Sequence, residues 1–203
     1  MKEDTIGFPK LEVEKKTGYE LFCGVGATPE MNLHGFWRWA ASDLVSNTMR
    51  GILAEYIVAT ALDLADGLRA EWNPYDLKKG DCQNEVKSGA YIQSWYHREL
   101  SKITFSIRPA RSWNDNTNIL SRESKRQADI YIFCVLTPIM QDEQLNPLNL
   151  DQWEFYILRS DVMDKACPTQ KTIGLSSLLK LNPRKATYSE IASCGRDLTP
   201  AKS

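Results

Sequence analysis

The sequence predicts one mixed α/β domain, a single sheet with helices on its faces. Three observations carry that expectation. Ser42 makes a good N-cap, and the run from there to about Asp66 reads as one long, largely apolar helix. Ile103-Thr104-Phe105-Ser106-Ile107-Arg108 alternates apolar and polar residues, the period of a half-buried strand. Asp129–Leu136 ends in Tyr131-Ile132-Phe133-Cys134-Val135-Leu136, as a central strand covered on both faces must. At 203 residues the chain is expected to form one domain. Its core would span about 42–136, with an N-terminal aromatic and helical extension over 1–41 and a C-terminal α/β extension over 137–203.

Residues 1–20 are polar and mixed in charge, a loose arm or a short edge element. Phe36, Trp37 and Trp39 crowd one short stretch before the helix, and Gly67 can end that helix. Glu71-Trp72-Asn73-Pro74-Tyr75-Asp76-Leu77 then turns the chain into an extended piece. Lys79-Gly80-Asp81 has the make-up of a hairpin tip, followed by a strand at Asn84–Ser88 and an extended segment at Tyr91–Tyr96. The polar stretch 111–127 reads as a loop with a short helix near Ile119–Gln127. A Pro- and Asn-containing loop spans 138–151. Trp153–Leu158 follows as a strand, and Ser160–Asp164 and Leu175–Leu181 as short helices.

Composition sets outer bounds. The 25 Lys and Arg against 26 Asp and Glu leave a formal charge of −1, which excludes a uniformly basic coat, an acidic tail and a polybasic membrane anchor. That balance is uneven along the chain. Residues 98–126 hold seven bases (Arg98, Lys102, Arg108, Arg111, Arg122, Lys125, Arg126) against three acids (Glu99, Asp115, Glu123). Residues 127–164 hold one base, Arg159, against seven acids. Such asymmetry fits one phosphate-facing side and one solvated side, or a chance distribution of solvated charge. The five cysteines form no CxxC and only two histidines exist, so neither a zinc site nor a disulfide framework is expected. The first residues are charged and carry no apolar core, so no secretory signal is expected and the expected compartment is a reducing cytoplasm.

Two features bear on chemistry. Glu55 stands among Ile52, Ala59 and Leu62 on the predicted helix, where a carboxylate is costly unless paired or metal-bound. It is either a functional acid or an edge residue bonded to Arg50 or solvent. Glu85 and Lys87 lie at i and i+2 of a strand, so they project side by side with Val86 packed behind. If Asp76 opens the other arm of a hairpin closed near Gly80, its carboxylate comes close to Glu85. Two convergent carboxylates suit Mg²⁺, and an adjacent ammonium can orient a water or hold a phosphate oxygen. Glu-x-Lys alone carries little, since Glu14-Lys15-Lys16 and Glu123-Ser124-Lys125 repeat it in polar stretches. An edge strand with alternating charges is the bland alternative.

Arg50-Gly51-Ile52-Leu53-Ala54-Glu55-Tyr56, Tyr75-Asp76-Leu77 and Asn84-Glu85-Val86-Lys87-Ser88 together resemble the PD-(D/E)XK, restriction-endonuclease-like nuclease superfamily. That family's core, helix–three strands–helix–strand, matches the order read from Ser42 to Leu136, about half of the chain. The resemblance implies that Asp76 and Glu85 ligate metal, with the Val86 carbonyl as a third donor. It makes Lys87 the catalytic lysine and Glu55 the helix-borne acid that completes the site. It also implies Mg²⁺, with Mn²⁺ as a substitute. One departure is plain: Pro74 stands two residues before Asp76, so the literal Pro-Asp is absent. Gln93, six residues after Lys87, matches a glutamine that such nucleases often carry near the water or a phosphate; otherwise it is a surface residue.

The expected activity is a Mg²⁺-dependent nuclease cutting phosphodiesters, foremost a DNA endonuclease. Lys79, Arg98, Lys102 and Arg126 are candidate phosphate contacts, although Arg126 could equally pair with Asp129 or a helix end. Trp95 and Tyr96 could stack on bases or belong to the core. Many endonucleases that cut both strands are two-fold dimers, so a homodimer is left open. The competing reading is a non-catalytic nucleic-acid or protein-binding module on the same fold, with Phe36-Trp37-Arg38-Trp39 as its patch. No P-loop, GxGxxG, GxSxG or HExxH points elsewhere, and no membrane partner is expected.

Overall fold

A computed structural model describes residues 8, 10–69, 71, 73–114 and 118–198. The expectations for residues 1–7, for Trp72 and for Asp115 in the charge count fall outside these.

The expected extension over 1–41 contains a helix, and the long helix expected from Ser42 to Asp66 is shorter at both ends. The first, α1 (Leu33–Ala41), is capped by Asn32, whose side chain accepts from the Gly35 N–H. It buries none of its residues, and Phe36, Trp37 and Trp39 are exposed. Ser42 closes this helix instead of opening the next, its hydroxyl donating back to the Arg38 carbonyl. Asp43 then accepts the N–H groups of Val45 and Ser46, which breaks the helical ladder. Ser46, not Ser42, caps α2 (Asn47–Ala61). That helix ends earlier than Asp66 because Asp63 turns to φ +56.

The hairpin at Gly80 forms as expected, with φ +58 at the glycine joining β1 (Leu77–Lys79) to β2 (Cys82–Ala90). β6 (Ile130–Leu136) lies parallel to β2 and is buried along its whole length, the central strand its apolar run predicts. β7 (Trp153–Arg159) and β9 (Arg184–Ala186) continue antiparallel, completing a five-stranded sheet in the order β1-β2-β6-β7-β9. The fold class is therefore the mixed α/β one, a central mixed sheet flanked by helices.

One face of the sheet packs Val86, Ile132, Cys134 and Phe155 against α2, through Ala54, Ile57 and Val58, and against α5 (Ile191–Leu198), through Ile191 and Cys194. The other face packs Phe133, Val135 and Leu158 against α3 (Ser160–Ala166), α4 (Leu175–Leu179) and a separate pair of strands, β3 (Thr104–Ser106) and β8 (Thr172–Gly174). The alternating strand read at Ile103–Arg108 thus exists but lies over the sheet instead of joining it. Gly89 permits this, because a Cβ there would come within 2.7 Å of the Ile103 Cγ2 atom.

Two local expectations are corrected. Tyr91–Tyr96 forms bends, not a strand. The short helix near Ile119–Gln127 is a strand, β5 (Ile119–Lys125), paired with β4 (Ala110–Asn114). Its sequence has no apolar stripe to bury as a helix, and pairing in a hairpin satisfies its backbone with most side chains in solvent. The connection between the parallel strands β2 and β6 therefore runs through β3 and a hairpin. Among the described residues, no helix is long and apolar enough to cross a membrane.

Candidate functional site

The site grows from an uncovered edge. β1 pairs only with Cys82, Gln83 and Asn84, so among the described residues no strand covers that edge of β2, the one away from β6, beyond Asn84. Just before β6 the Asp129 N–H donates to the Gln83 carbonyl at 2.8 Å, and the Gln83 N–H donates to the Asp129 carboxylate at 2.9 Å. Odd-numbered residues of β2 therefore turn their backbone groups toward β6. Val86 and Ser88 turn their N–H and C=O to the open edge. Asp76 occupies that edge. Its N–H donates to the Asn84 carbonyl at 3.1 Å and its Oδ2 accepts from the Val86 N–H at 2.7 Å.

Glu85 and Lys87 flank Val86 and share one face of the strand, as their spacing predicts. The Lys87 Nζ donates to the Glu85 Oε1 at 2.5 Å, and both side chains are largely buried. Burial first, and the Glu85 charge second, push the Asp76 carboxyl up to about 6; Lys87 and the Val86 N–H oppose the rise, and Glu55 adds to it. Asp76 is thus crowded by two other carboxylates. The same field reaches Tyr131, which the register sets beside Glu85 and whose phenol is raised by burial and by that charge.

Glu55 takes neither of the partners foreseen for it. Both of its oxygens accept from Arg69, at 2.5 and 3.1 Å, and Arg69 also donates to Glu71 at 3.1 Å. Arg69 escapes sequence reasoning because nothing in the turn after Gly67 marks it as facing α2. Glu55, Arg69 and Asp76 line a common cavity of about 330 Å³ between α2 and the segment leading into β1.

Gln93 is buried, not a surface residue. Its amide donates to the Ala90 carbonyl and the Ser101 hydroxyl, both at 3.1 Å, and accepts from the Arg50 Nη1 at 3.2 Å. It therefore closes the end of β2 and holds an arginine, and its contacts run to Arg50 and Ser101 rather than to Lys87. Arg50, expected only as a partner for Glu55, is buried at the start of α2. Desolvation lowers its pKa. An arginine set among Ile52, Leu53 and Ile57 was the signal for it.

The four candidate phosphate contacts separate. Arg98 and Lys102 are exposed. Lys79 is engaged at the end of α2, where its Nζ donates to the Leu62 carbonyl at 2.6 Å. Arg126 takes the helix-end alternative in place of a phosphate: its buried side chain donates to the Cys167 carbonyl at the C-cap of α3 and to Asp164 of that helix at 2.5 Å, and also to the carbonyls of Ile107 and Gln170. Asp129, the partner considered for it, is already bonded to Gln83. Trp95 and Tyr96 are exposed, 50% and 84%, so they are not core.

Hard oxygen donors thus gather at the β2 edge: the carboxylates of Asp76 and Glu85 and the outward-facing Val86 carbonyl. Among the described residues, no three His, Cys, Asp or Glu side chains form a ready-made cage. Two carboxylates and a carbonyl do suit Mg²⁺, which keeps waters and takes the rest of its octahedron from substrate phosphate. No curated protein matches the chain. The family model described as bacteriophage T4 endonuclease IV matches residues 38–177, a span that takes in α2, the β1–β2 hairpin and the whole central strand. The chain belongs to the bacteriophage T4 endonuclease IV family, a family of nucleases.

Proposed function

We propose that the chain is a divalent-cation-dependent DNA endonuclease whose site is of the PD-(D/E)XK kind. One observation carries the reading. At the open edge of β2, the Glu85 charge is close enough to raise Asp76, and the Lys87 ammonium lies against Glu85. Crowded carboxylates beside a lysine are expensive in a folded protein and are relieved by a cation. In this reading Asp76, Glu85 and the Val86 carbonyl hold Mg²⁺, with Mn²⁺ able to replace it. When bound, the ion polarises the scissile phosphate and makes a water acidic enough to attack near neutral pH.

The chain's own groups do the rest. Val86 fixes Asp76 through its N–H, so that carboxylate is held in place before any ligand arrives. Lys87, which lies against Glu85, would orient the attacking water and offset charge in the pentavalent transition state. Glu55 is gripped by Arg69, so its part is to orient groups around the ion. Arg98 and Lys102 hold the strand by its backbone. The test uses linear and circular DNA with Mg²⁺ or Mn²⁺, with EDTA and Glu85→Ala as controls. Cleavage is expected with either ion and is lost in both controls. Cleavage that persists in EDTA and in Glu85→Ala overturns the proposal.

A further inference from the structure

Arg50 is a buried cation that meets no anion among the described residues. It is 4% exposed, yet its partners are all neutral: the Val45 carbonyl at 2.8 Å, the Asn47 side-chain oxygen at 2.6 Å and Gln93 at 3.2 Å. Its Nε finds no hydrogen-bond partner among the described residues. The other buried arginine is treated differently, since Arg126 meets Asp164. A buried charge is normally paired, because leaving it unpaired is strongly destabilising.

The space beside Arg50 suits the missing anion. The guanidinium lines a solvent-open cavity of about 380 Å³ with Asn47, Ser88, Gln93, Ser101 and Lys102, a largely polar wall with a second cation and no carboxylate. This cavity opens on the same edge of β2 as Asp76. A Cβ on Gly51 would stand 4.0 Å from the Ser88 hydroxyl, so the start of α2 lies directly over that residue. Ser88 follows Val86 by two residues, about 7 Å along the strand. One phosphodiester repeat can span that distance. A guanidinium, a hydroxyl and an ammonium suit the tetrahedral oxyanion of a phosphoryl group.

We infer that the Arg50–Ser88–Lys102 cleft holds a non-scissile phosphate of the bound strand, next to the one being cut. The inference rests on the nuclease reading and adds to it the contact that sets the strand's register. The test measures binding in EDTA, where no cutting is expected. The probes are oligonucleotides carrying one neutral methylphosphonate at successive internal positions, or lacking the terminal phosphate, and the cut site is mapped separately with Mg²⁺. For the wild type, one internal methylphosphonate beside the cut should weaken binding about tenfold, the effect of losing a single charge-assisted contact. Lys102→Ala and Arg50→Lys should bind the unmodified strand more weakly and lose most of their sensitivity at that position alone. Lys102 is exposed, so its variant reports even if Arg50→Lys folds poorly. Equal sensitivity in wild type and Lys102→Ala, or dependence on the terminal phosphate only, overturns the inference and leaves the nuclease reading intact. A wild type that neither binds nor cuts DNA overturns both.

Discussion

Replacing Asp76 by asparagine should stabilise the protein while removing its activity. The carboxyl of Asp76 rises from its ordinary 3.8 to about 6, with burial as the first cause and Glu85 as the second. A rise of that size corresponds to roughly 3 kcal/mol of differential interaction. The sign follows from the direction. The folded state holds this proton more tightly than the unfolded chain, so the gain is complete below about pH 4 and is lost as pH rises through about 6. At pH 8, therefore, the charged Asp76 burdens the fold. Asparagine removes the charge and can still accept from the Val86 N–H, at the cost of the attraction to Lys87. A net gain of about 1–2 kcal/mol remains, or roughly 2–8 °C in Tm for a chain of this size. The assay is thermal unfolding of both proteins in EDTA at pH 5 and pH 8, repeated with Mg²⁺. Asp76→Asn should exceed the wild type at pH 8 and approach it at pH 5, and Mg²⁺ should stabilise the wild type much more than the variant. A variant less stable than the wild type at pH 8 in EDTA would show that Asp76 is not held under electrostatic load, and the reasoning would fail.

Other substitutions separate the parts of the fold. Lys87→Ala should lower the cleavage rate 10²- to 10⁴-fold, the usual range for a group that handles a proton or a developing charge, with DNA binding in EDTA nearly unchanged. Steady-state kinetics beside a binding titration checks this. Arg126→Met should lower stability by about 2–4 kcal/mol in denaturant melts, because it strands the carbonyls of Ile107 and Cys167. The salt dependence of DNA binding by the same variant should not move, since Arg126 reaches no solvent. Gly89→Ala should cost about 1–3 kcal/mol in the same melts, because its new Cβ would press on Ile103 and Phe105.

What was readable in the chain was what repeats at short range. The period-2 spacing that put Glu85 and Lys87 on one face is a property of any strand, and the turn at Gly80 was marked by its own chemistry. The central strand declared itself by being apolar on both faces. Choices that rest on one particular side chain or partner were hidden. Ser42 and Ser46 are equally good caps by type, and only the Asp43 side chain taking the next N–H groups decides between them. β5 has no pattern of its own and is a strand because β4 lies beside it. Counting charge over 98–126 made Arg126 look like Lys102, because burial is not a property of composition. The grip of Arg69 on Glu55 joins residues 14 apart across a turn that carries no periodic signal.

The hairpin route between β2 and β6 has a consequence for how the molecule comes into being. The contact that starts their parallel pairing, Gln83 with Asp129, closes 46 residues of chain. Closing a loop of that length costs entropy before the ladder returns anything, so such pairings tend to form slowly. The β1–β2 hairpin brings Asp76 to Val86 early, as a local event. The buried wall beneath Glu85, which Tyr131 and Phe133 supply, needs the central strand in place. A nascent or partly folded chain would thus carry its acidic residues loosely on a lone hairpin, without the rigid backing that makes their crowding chemically useful. Competence to act would arrive together with the last cooperative step of folding.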